Sequence, residues 1–349
     1  MLSGDQFSSR TLLWTTTAGR EWKEITPPAA QCVYTDISSV FFLNTHSGWV
    51  LIDRNGKGQN ETLEEIDLAS TRDSGTTWSI TPVKIPRRYT VKKNLRGSGS
   101  LYFADFDHGW IGVSFEDLDT GGYGSLDLAT SDAGRTWHQV ELPGIFMFVN
   151  ARRGWAVVDG MHVGGSGQIE LQATRDGGTT WTEVMVAALH GKAPVTCAAY
   201  DLPIFENVDH GFFAARYCGS DDESAAELFE TTDGGETWRR SRVLSLGGER
   251  LMQIASTVAN SDWIVAYQDR NSATFAVLGK QGKTEHDIST YIRPEGRRYV
   301  NFPDKLSFVT PKVGWMRWGN GFILATSDGG ATWSQIGGRP PWLIRLHGP

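Results

Sequence analysis

The octapeptide Thr326-Ser327-Asp328-Gly329-Gly330-Ala331-Thr332-Trp333, "TSDGGATW", has close copies along the whole chain, and their spacing decides the fold. "STRDSGTTW" ends at Trp78, "TSDAGRTW" at Trp137, "TRDGGTTW" at Trp181 and "TTDGGETW" at Trp238. The aspartates Asp73, Asp132, Asp176, Asp233 and Asp328 stand 59, 44, 57 and 95 residues apart. The last gap is about double, and Leu278-Gly279-Lys280-Gln281-Gly282-Lys283-Thr284 lies halfway across it as a decayed copy. Upstream, Thr15-Thr16-Thr17-Ala18-Gly19-Arg20-Glu21-Trp22 keeps Gly and Trp, with Thr17 where Asp would stand. Seven copies result.

Each copy follows a second signature, an apolar run, a turn, then Gly and an aromatic opening another apolar run: "VFFLNTHSGWVLID", "LYFADFDHGWIGVS", "MFVNARRGWAVVD", "IFENVDHGFFAAR" and "LSFVTPKVGWMRW". In "STVANSDWIVAY", Asp262 replaces the Gly. One repeat therefore reads as strand A, tight turn, strand B, variable loop, strand C, octapeptide turn and strand D. Four antiparallel strands in about 50 residues make a propeller blade. The expected fold is a single all-β domain over residues 1–349, a seven-bladed β-propeller. Its blades are expected at about 36–82, 99–142, 145–186, 203–243, 250–289 and 304–337, with a shared blade from about 1–27 and 340–349. Residues 342–347 are expected to pair beside the N-terminal strands and close the ring, removing an edge that would otherwise invite aggregation.

In the octapeptide, Asp73, Asp132, Asp176, Asp233 and Asp328 are expected to accept bonds from the next backbone N–H groups in an Asx-turn, with glycines where φ is positive. Trp78, Trp137, Trp181, Trp238 and Trp333 begin strand D, each able to cover the join between turns and donate its N–H. Most of the 14 tryptophans are thereby structural.

The octapeptide resembles the Asp-box, or BNR repeat. With its Gly-Trp strands the chain resembles, over essentially its whole length, the Ycf48/Hcf136-type photosystem II assembly factors and their relatives in non-photosynthetic bacteria. That resemblance implies a non-enzymatic assembly or stability factor with an arginine-rich contact patch. Sialidases, xyloglucan-cleaving hydrolases and sortilin-type receptors carry the same box, so it marks the hairpin and not an activity.

Composition narrows the partners. A net charge of −7 argues against general binding of nucleic acid or anionic membrane. No stretch reaches the roughly 18 apolar residues of a transmembrane helix. The compartment is expected to be extracytoplasmic if a leader precedes this chain and cytoplasmic otherwise. Cys32, Cys197 and Cys218 lack zinc spacing; Cys197 and Cys218 are either a disulfide or two thiols. No cofactor and no metal are implied.

The long D-to-A and B-to-C loops are expected on one end of the blades, where function concentrates. The D-to-A loops are basic, with Lys84, Arg87, Arg88, Lys92, Lys93 and Arg96 in one and Arg293, Arg297 and Arg298 in another; Arg87, Arg88, Arg297 and Arg298 are candidate contacts for a protein or peptide. The B-to-C loops are acidic, with Glu61, Glu64, Glu65 and Asp67, then Glu116, Asp117 and Asp119, then Asp221, Asp222 and Glu223. Five residues past each B-strand Gly stand Asp53, Ser114, Asp159, Arg216, Tyr267 and Gly319, dissimilar and mostly polar, with Arg317 nearby. Arg216 and Arg317 are further binding candidates.

A glycoside hydrolase is the alternative reading. It would need two carboxylates about 5–10 Å apart, for which Asp53 and Asp159 are candidates, with Arg216, Tyr267 and Arg317 as sialidase-like partners. The sialidase Phe/Tyr-Arg-Ile-Pro motif does not precede the first box. A carbohydrate-binding propeller without catalysis would use aromatic platforms such as Tyr123, Tyr217 or Trp318, which are otherwise packing residues. His46, His108 and His210 precede Gly in A-to-B turns, where Arg153 and Val313 stand in other copies, and read as turn residues.

Overall fold

The computed structural model describes residues 11–17, 21–32, 34–55, 63–86, 89, 93–117, 119–159, 169–184, 198–217, 225–245, 253–259, 262–268, 273–279, 282–287, 303–318 and 323–337. Nearly all regular structure in them is β. Blade 1 consists of Thr35–Phe42, Gly48–Asn55, Leu63–Thr71 and Ser79–Val83, and blade 2 of Lys93–Phe103, Gly109–Asp117, Tyr123–Thr130 and His138–Val140. Blade 3 is Ile145–Phe148, Gly154–Asp159, Ile169–Thr174 and Thr182–Glu183. In blade 4 the innermost strand is split into Ala198–Tyr200 and Ile204–Phe205, followed by Gly211–Tyr217, Ala225–Thr231 and Arg239–Ser245. Blade 5 is Gln253–Ala259, Asp262–Gln268, Ala273–Gly279 and Gly282–Asp287, and blade 6 is Pro303–Phe308, Gly314–Trp318, Ile323–Thr326 and Ser334–Gly337. Within each blade strands A to D lie in chain order, neighbours antiparallel, as expected for a propeller. Before blade 1, Leu13–Trp14 pairs with Lys23–Glu24. The chain divides into two compact units, one holding this pair and blades 1 to 3, the other blades 4 to 6.

The octapeptide turns show why the repeat is written as it is. In all five, Asp Oδ1 accepts from the threonine two residues before it at 2.7–2.9 Å and from the backbone N–H four residues after it at 2.8–2.9 Å. Oδ2 accepts from the second threonine's hydroxyl at 2.6–2.7 Å. One carboxylate thus ties both ends of the turn. This differs from the expected Asx-turn, whose bond runs two residues on. The Asx-turns lie instead between strands A and B, where Asn44, Asp105, Asn150 and Asn207 accept from the two N–H groups before the Gly. The two turns are then joined: an A-to-B carbonyl, such as that of His46, Asp107 or Arg152, accepts from the N–H of the residue after the octapeptide Asp.

Such anchoring holds both central residues at positive φ. Glycine occupies the first in three turns, but Ser74 (61°) and Ala133 (62°) occupy it in the other two. In the earliest copy Thr17 takes over the Asp role, its Oγ1 accepting from the N–H of Glu21 at 2.8 Å. In the decayed copy Gly279 pairs directly with Gly282.

The Gly-aromatic signature has a packing cause. A Cβ on Gly48, Gly109, Gly154, Gly211 or Gly314 would lie 2.5–2.6 Å from the ring of the phenylalanine ending its own strand A. Each ring therefore occupies the place of the missing side chain. The ring's open face takes the tryptophan of the preceding blade: Trp49 stacks on Phe103 at 3.9 Å and Trp110 on Phe148 at 3.5 Å. Trp14 meets Phe42 at 4.6 Å in the same sense. The octapeptide tryptophan closes the edge, Phe148–Trp181, Phe205–Trp238 and Phe308–Trp333 being 6.1–6.3 Å apart and near perpendicular. Around this seam, Leu51, Ile66, Leu68, Leu101, Ile111, Val113, Leu126 and Leu128 form the core between blades 1 and 2. Burying each such side chain is worth about 1.5–3 kcal/mol.

Candidate functional site

At the end of each blade away from the octapeptide turn, the repeats diverge. In blade 1 the strand A residue Ser38 sits at a register shift and donates to the Leu51 carbonyl (3.3 Å) and to Asp53 Oδ1 (3.1 Å), so this buried carboxylate is held by its own blade. Next to it, the Arg54 guanidinium binds Asp67 Oδ2 through Nε at 2.7 Å and through Nη2 at 2.5 Å. Asp67 is buried while Arg54 reaches solvent. The bond to Asp67 raises the Arg54 pKa against the lowering effect of burial.

Blade 2 holds its strand C carboxylate without a guanidinium. Asp127 accepts from Ser125 Oγ at 3.0 Å and from the N–H of Leu142, in the connection to blade 3, at 3.1 Å. Burial pushes this carboxyl up, and the bonds from Leu142 and Ser125 only partly offset it. In blade 4, Glu227 is 1% exposed and takes a bond from Arg240 Nη1 at 3.1 Å. Three blades thus bury an acid on strand C, each with a different partner.

Several expected loop residues lie in strands. Glu65 and Asp67 belong to strand C of blade 1, Glu116 and Asp117 to strand B of blade 2, and Lys93 and Arg96 to a blade 2 strand A that begins six residues earlier than expected. Lys93 stands opposite Asp117 in that register. The binding candidates Arg87, Arg88, Arg297 and Arg298, and also Arg293, Lys92, Gly319, Asp221, Asp222, Glu223, Cys197 and Cys218, lie outside the described residues. Asp159 ends strand B of blade 3, while Arg216 and Tyr267 stand one residue before the ends of strand B in blades 4 and 5, Arg216 opposite Ala199 and Ala226 and Tyr267 opposite Ile254 and Thr274. Arg317 is exposed beside the corresponding end of blade 6, opposite Lys305 and Ile323, and Ser114 is exposed opposite Ser125.

Two further residues correct the sequence reading. Tyr123, read more readily as packing, is 78% exposed. Trp238, expected to donate its N–H, is buried with Nε1 lacking a hydrogen-bond partner among the described residues, whereas Trp78, Trp137, Trp181 and Trp333 donate to backbone carbonyls. His46, His108 and His210 stand in A-to-B turns; His108 bonds Asp105, and His210 bridges Glu206 and Glu230. Cys32 is an exposed free thiol. Among the described residues, no group of three His, Cys, Asp or Glu side chains has the geometry to hold a metal ion, and no helix is long and apolar enough to cross a membrane.

No protein-family model matches this chain, and no curated protein matches it by sequence. Solved structures do match in fold. The structure of an ulvan lyase of polysaccharide lyase family 25, bound to its GlcA–Rha3S saccharide, aligns at 9% identity and TM-score 0.52, covering 85% of this chain and 81% of that one. A xyloglucanase of glycoside hydrolase family 74 from Xanthomonas campestris aligns at 14% identity and TM-score 0.50, covering 86% and 45%. YCF48 bound to D1 peptide aligns at 20% identity and TM-score 0.49, covering 86% and 81%. At these identities the likeness to the lyase and the xyloglucanase speaks to fold alone, and the chain is an all-β propeller of four-stranded antiparallel blades.

Proposed function

We propose that this chain is a non-enzymatic docking propeller that presents the divergent, loop-bearing end of its blades to a protein or peptide, in the manner of an assembly or stability factor. The observation that carries this reading is the state of the candidate acid Asp53. It is 6% exposed and takes a hydrogen bond from Ser38 of its own blade. A hydrolase of the alternative class needs two carboxylates facing one another across the scissile bond. Asp67 and Glu227 are likewise engaged by Arg54 and Arg240, a use suited to a rigid platform. The contacts on that platform would be Arg87, Arg88, Arg297 and Arg298, with Arg216 and Arg317 on strand B ends.

The test is capture of a partner from source-cell extracts by the wild type, by Arg87→Glu/Arg88→Glu and by Arg297→Glu/Arg298→Glu. A specific partner lost with the reversals supports the reading; identical capture by all three proteins overturns the arginine contact. A glycosidase screen in which turnover disappears in Asp53→Asn would restore the hydrolase.

The blade count belongs to the same proposal. The Leu13–Trp14 and Lys23–Glu24 pair has the C-to-D register of the full blades, Trp14 facing Lys23 as Ser70 faces Ser79 and Ala129 faces His138. It is the remnant expected of a seventh blade, with residues 342–347 as its added strand. Deleting residues 340–349 should lower the Tm, and an unchanged melt would sink that count.

A further inference from the structure

The seams on the two sides of blade 2 are filled in different ways. In the seam with blade 1, Leu51 and Leu68 stand opposite each other on strands B and C, both buried. The Leu68 side chain reaches Gly134 in the octapeptide turn of blade 2, where a Cβ would come within 2.3 Å of its Cδ2. In the seam with blade 3 the same register positions hold Gly112 and Asp127, neither of which carries an apolar side chain across. Leu142 takes that place from outside the strands: its Cδ2 lies 3.5 Å from where a Cβ on Gly178, the counterpart of Gly134, would stand. It is buried with Trp110, Phe146 and Phe148. Residues 141–144, which join blade 2 to blade 3, thus form a strap that seals the joint between them.

Blade 3 grips the strap at both ends. The Glu141 carbonyl accepts from Trp181 Nε1 at 2.9 Å, and a Cβ on Gly144 would meet the Val157 carbonyl oxygen at 2.2 Å. The polar hold on blade 2 is the Leu142 N–H, which donates to Asp127 Oδ2 at 3.1 Å. Ser125 Oγ donates to the same oxygen at 3.0 Å, while Oδ1 is turned over Gly112, 3.3 Å from the place of a Cβ there, with Ser100 beside it. Asp127 is 8% exposed, and among the described residues only these neutral donors bond it. Of the titratable groups around it, Glu141 on the strap adds a like charge, Tyr102 on strand A is a half-buried phenol raised by burial, and His138 on strand D is exposed. A carboxylate placed here loses water without gaining a cation, so burial outweighs both bonds and pushes the carboxyl up.

We infer that this strap is a pH-sensitive catch, closing the joint between blades 2 and 3 while Asp127 is neutral and lifting when Asp127 gives its proton to solvent. Neutral Asp127 keeps Oδ2 as the acceptor for Leu142 and Ser125, with the proton on Oδ1 over Gly112. The ionised form is better served by water, which gains room at the carboxylate when Leu142 leaves the seam. The folded carboxyl is raised, so the closed joint is favoured below the raised value and loses that support as pH climbs through it. The seam with blade 1 has Leu51 and Leu68 at these positions and serves as the internal control. The catch stands apart from the docking reading, which uses neither the strap nor Asp127.

Amide hydrogen exchange of the full chain, read by mass spectrometry and corrected for the intrinsic pH dependence of exchange, tests the catch. From about pH 4 to about pH 7 the strap amides should lose protection several-fold relative to those around Leu68. Asp127→Asn, which is neutral throughout and still offers an acceptor to Leu142, should keep its protection over the same range. A wild type whose strap protection does not change with pH, or an Asn variant that loses protection as wild type does, would overturn the inference. Leucine-methyl NMR of the wild type gives a second readout that does not depend on any variant folding. The Leu142 methyls, which lie among the rings of Trp110, Phe146 and Phe148, should move toward the positions of exposed leucine as pH rises, while those of Leu68 stay in place. Leu142 methyls that hold their positions, or that move only together with those of Leu68, would equally overturn it.

Discussion

The two ends of the blades use carboxylates in opposite ways. At the turn end, five aspartates are nearly interchangeable: each takes the same threonine and backbone donors, and each is held at about 2, below its usual range, first by the second threonine's hydroxyl and then by that residue's N–H. At the far end the buried acids Asp53, Asp67, Asp127 and Glu227 have four different partner sets. Identical bonds recurring in five repeats describe the fold's common solution, although blade 5 closes its hairpin without them. Where the partners change from blade to blade, the fold requires no one solution and selection can act on what the surface meets.

The largest expected effect lies in the seam on which both ends depend. Phe103→Ala would remove a fully buried ring stacked on Trp49 and leave the space over Gly109 empty, costing about 3–5 kcal/mol. Gly109→Ala would overpack the same seam by about 1–3 kcal/mol. Chemical denaturation measures both, and a Gly109→Ala protein as stable as wild type would show that the ring does not need the glycine.

A pH titration of stability sharpens the contrast, because the two populations should respond with opposite sign. For the turn aspartates the folded pKa is depressed, so their contribution is present above about pH 4 and lost as pH falls toward 2. Asp176→Asn should remove part of that acid sensitivity while lowering stability at pH 7. Asp127 is raised by burial, so its folded form gains relative stability as pH falls through the raised pKa. Asp127→Asn should therefore blunt a gain instead of a loss. Parallel melts from pH 7 to 3 decide it, and the same sign for both variants would break the comparison.

A smaller effect is expected where two turns depart from the common pattern. Ser74 and Ala133 hold a backbone conformation that glycine adopts in the other three turns. Ala133→Gly should raise stability by about 0.5–1 kcal/mol, the relief of left-handed strain exceeding the added chain entropy. An unchanged or lower denaturation midpoint would mean that the turn's hydrogen bonds already absorb the strain.

The fold was legible because the octapeptide places a chemically fixed group, Asp with threonines two before and four after, at a regular interval. Even the degenerate first copy could be aligned, and Thr17 does take the aspartate's bond. The sequence reading gave the glycine before each B-strand aromatic no packing role, because its reason lies six residues away in a phenylalanine that the pattern did not link to it. The far end was less legible for a related reason. Burial there depends on how far along the strand a residue stands, so Asp67 and Glu65, two residues apart on the same face of one strand, differ completely: one is sealed behind Arg54 and the other faces water. Tyr123 was ambiguous because a tyrosine among glycines reads equally as filler or display until the opposite face is found already filled by the Phe115 ring, which lies over Gly124.

The phenylalanine seam also bears on how such a chain can change in number. In the first unit blades 1 and 2 each offer a ring on one side and a tryptophan on the other, as Phe103 and Trp110 do from the two sides of blade 2. A gene segment encoding one such blade, copied or removed whole, would leave like surfaces meeting like surfaces on either side. Lineages built on this seam are therefore free to gain or lose blades without inventing a new interface.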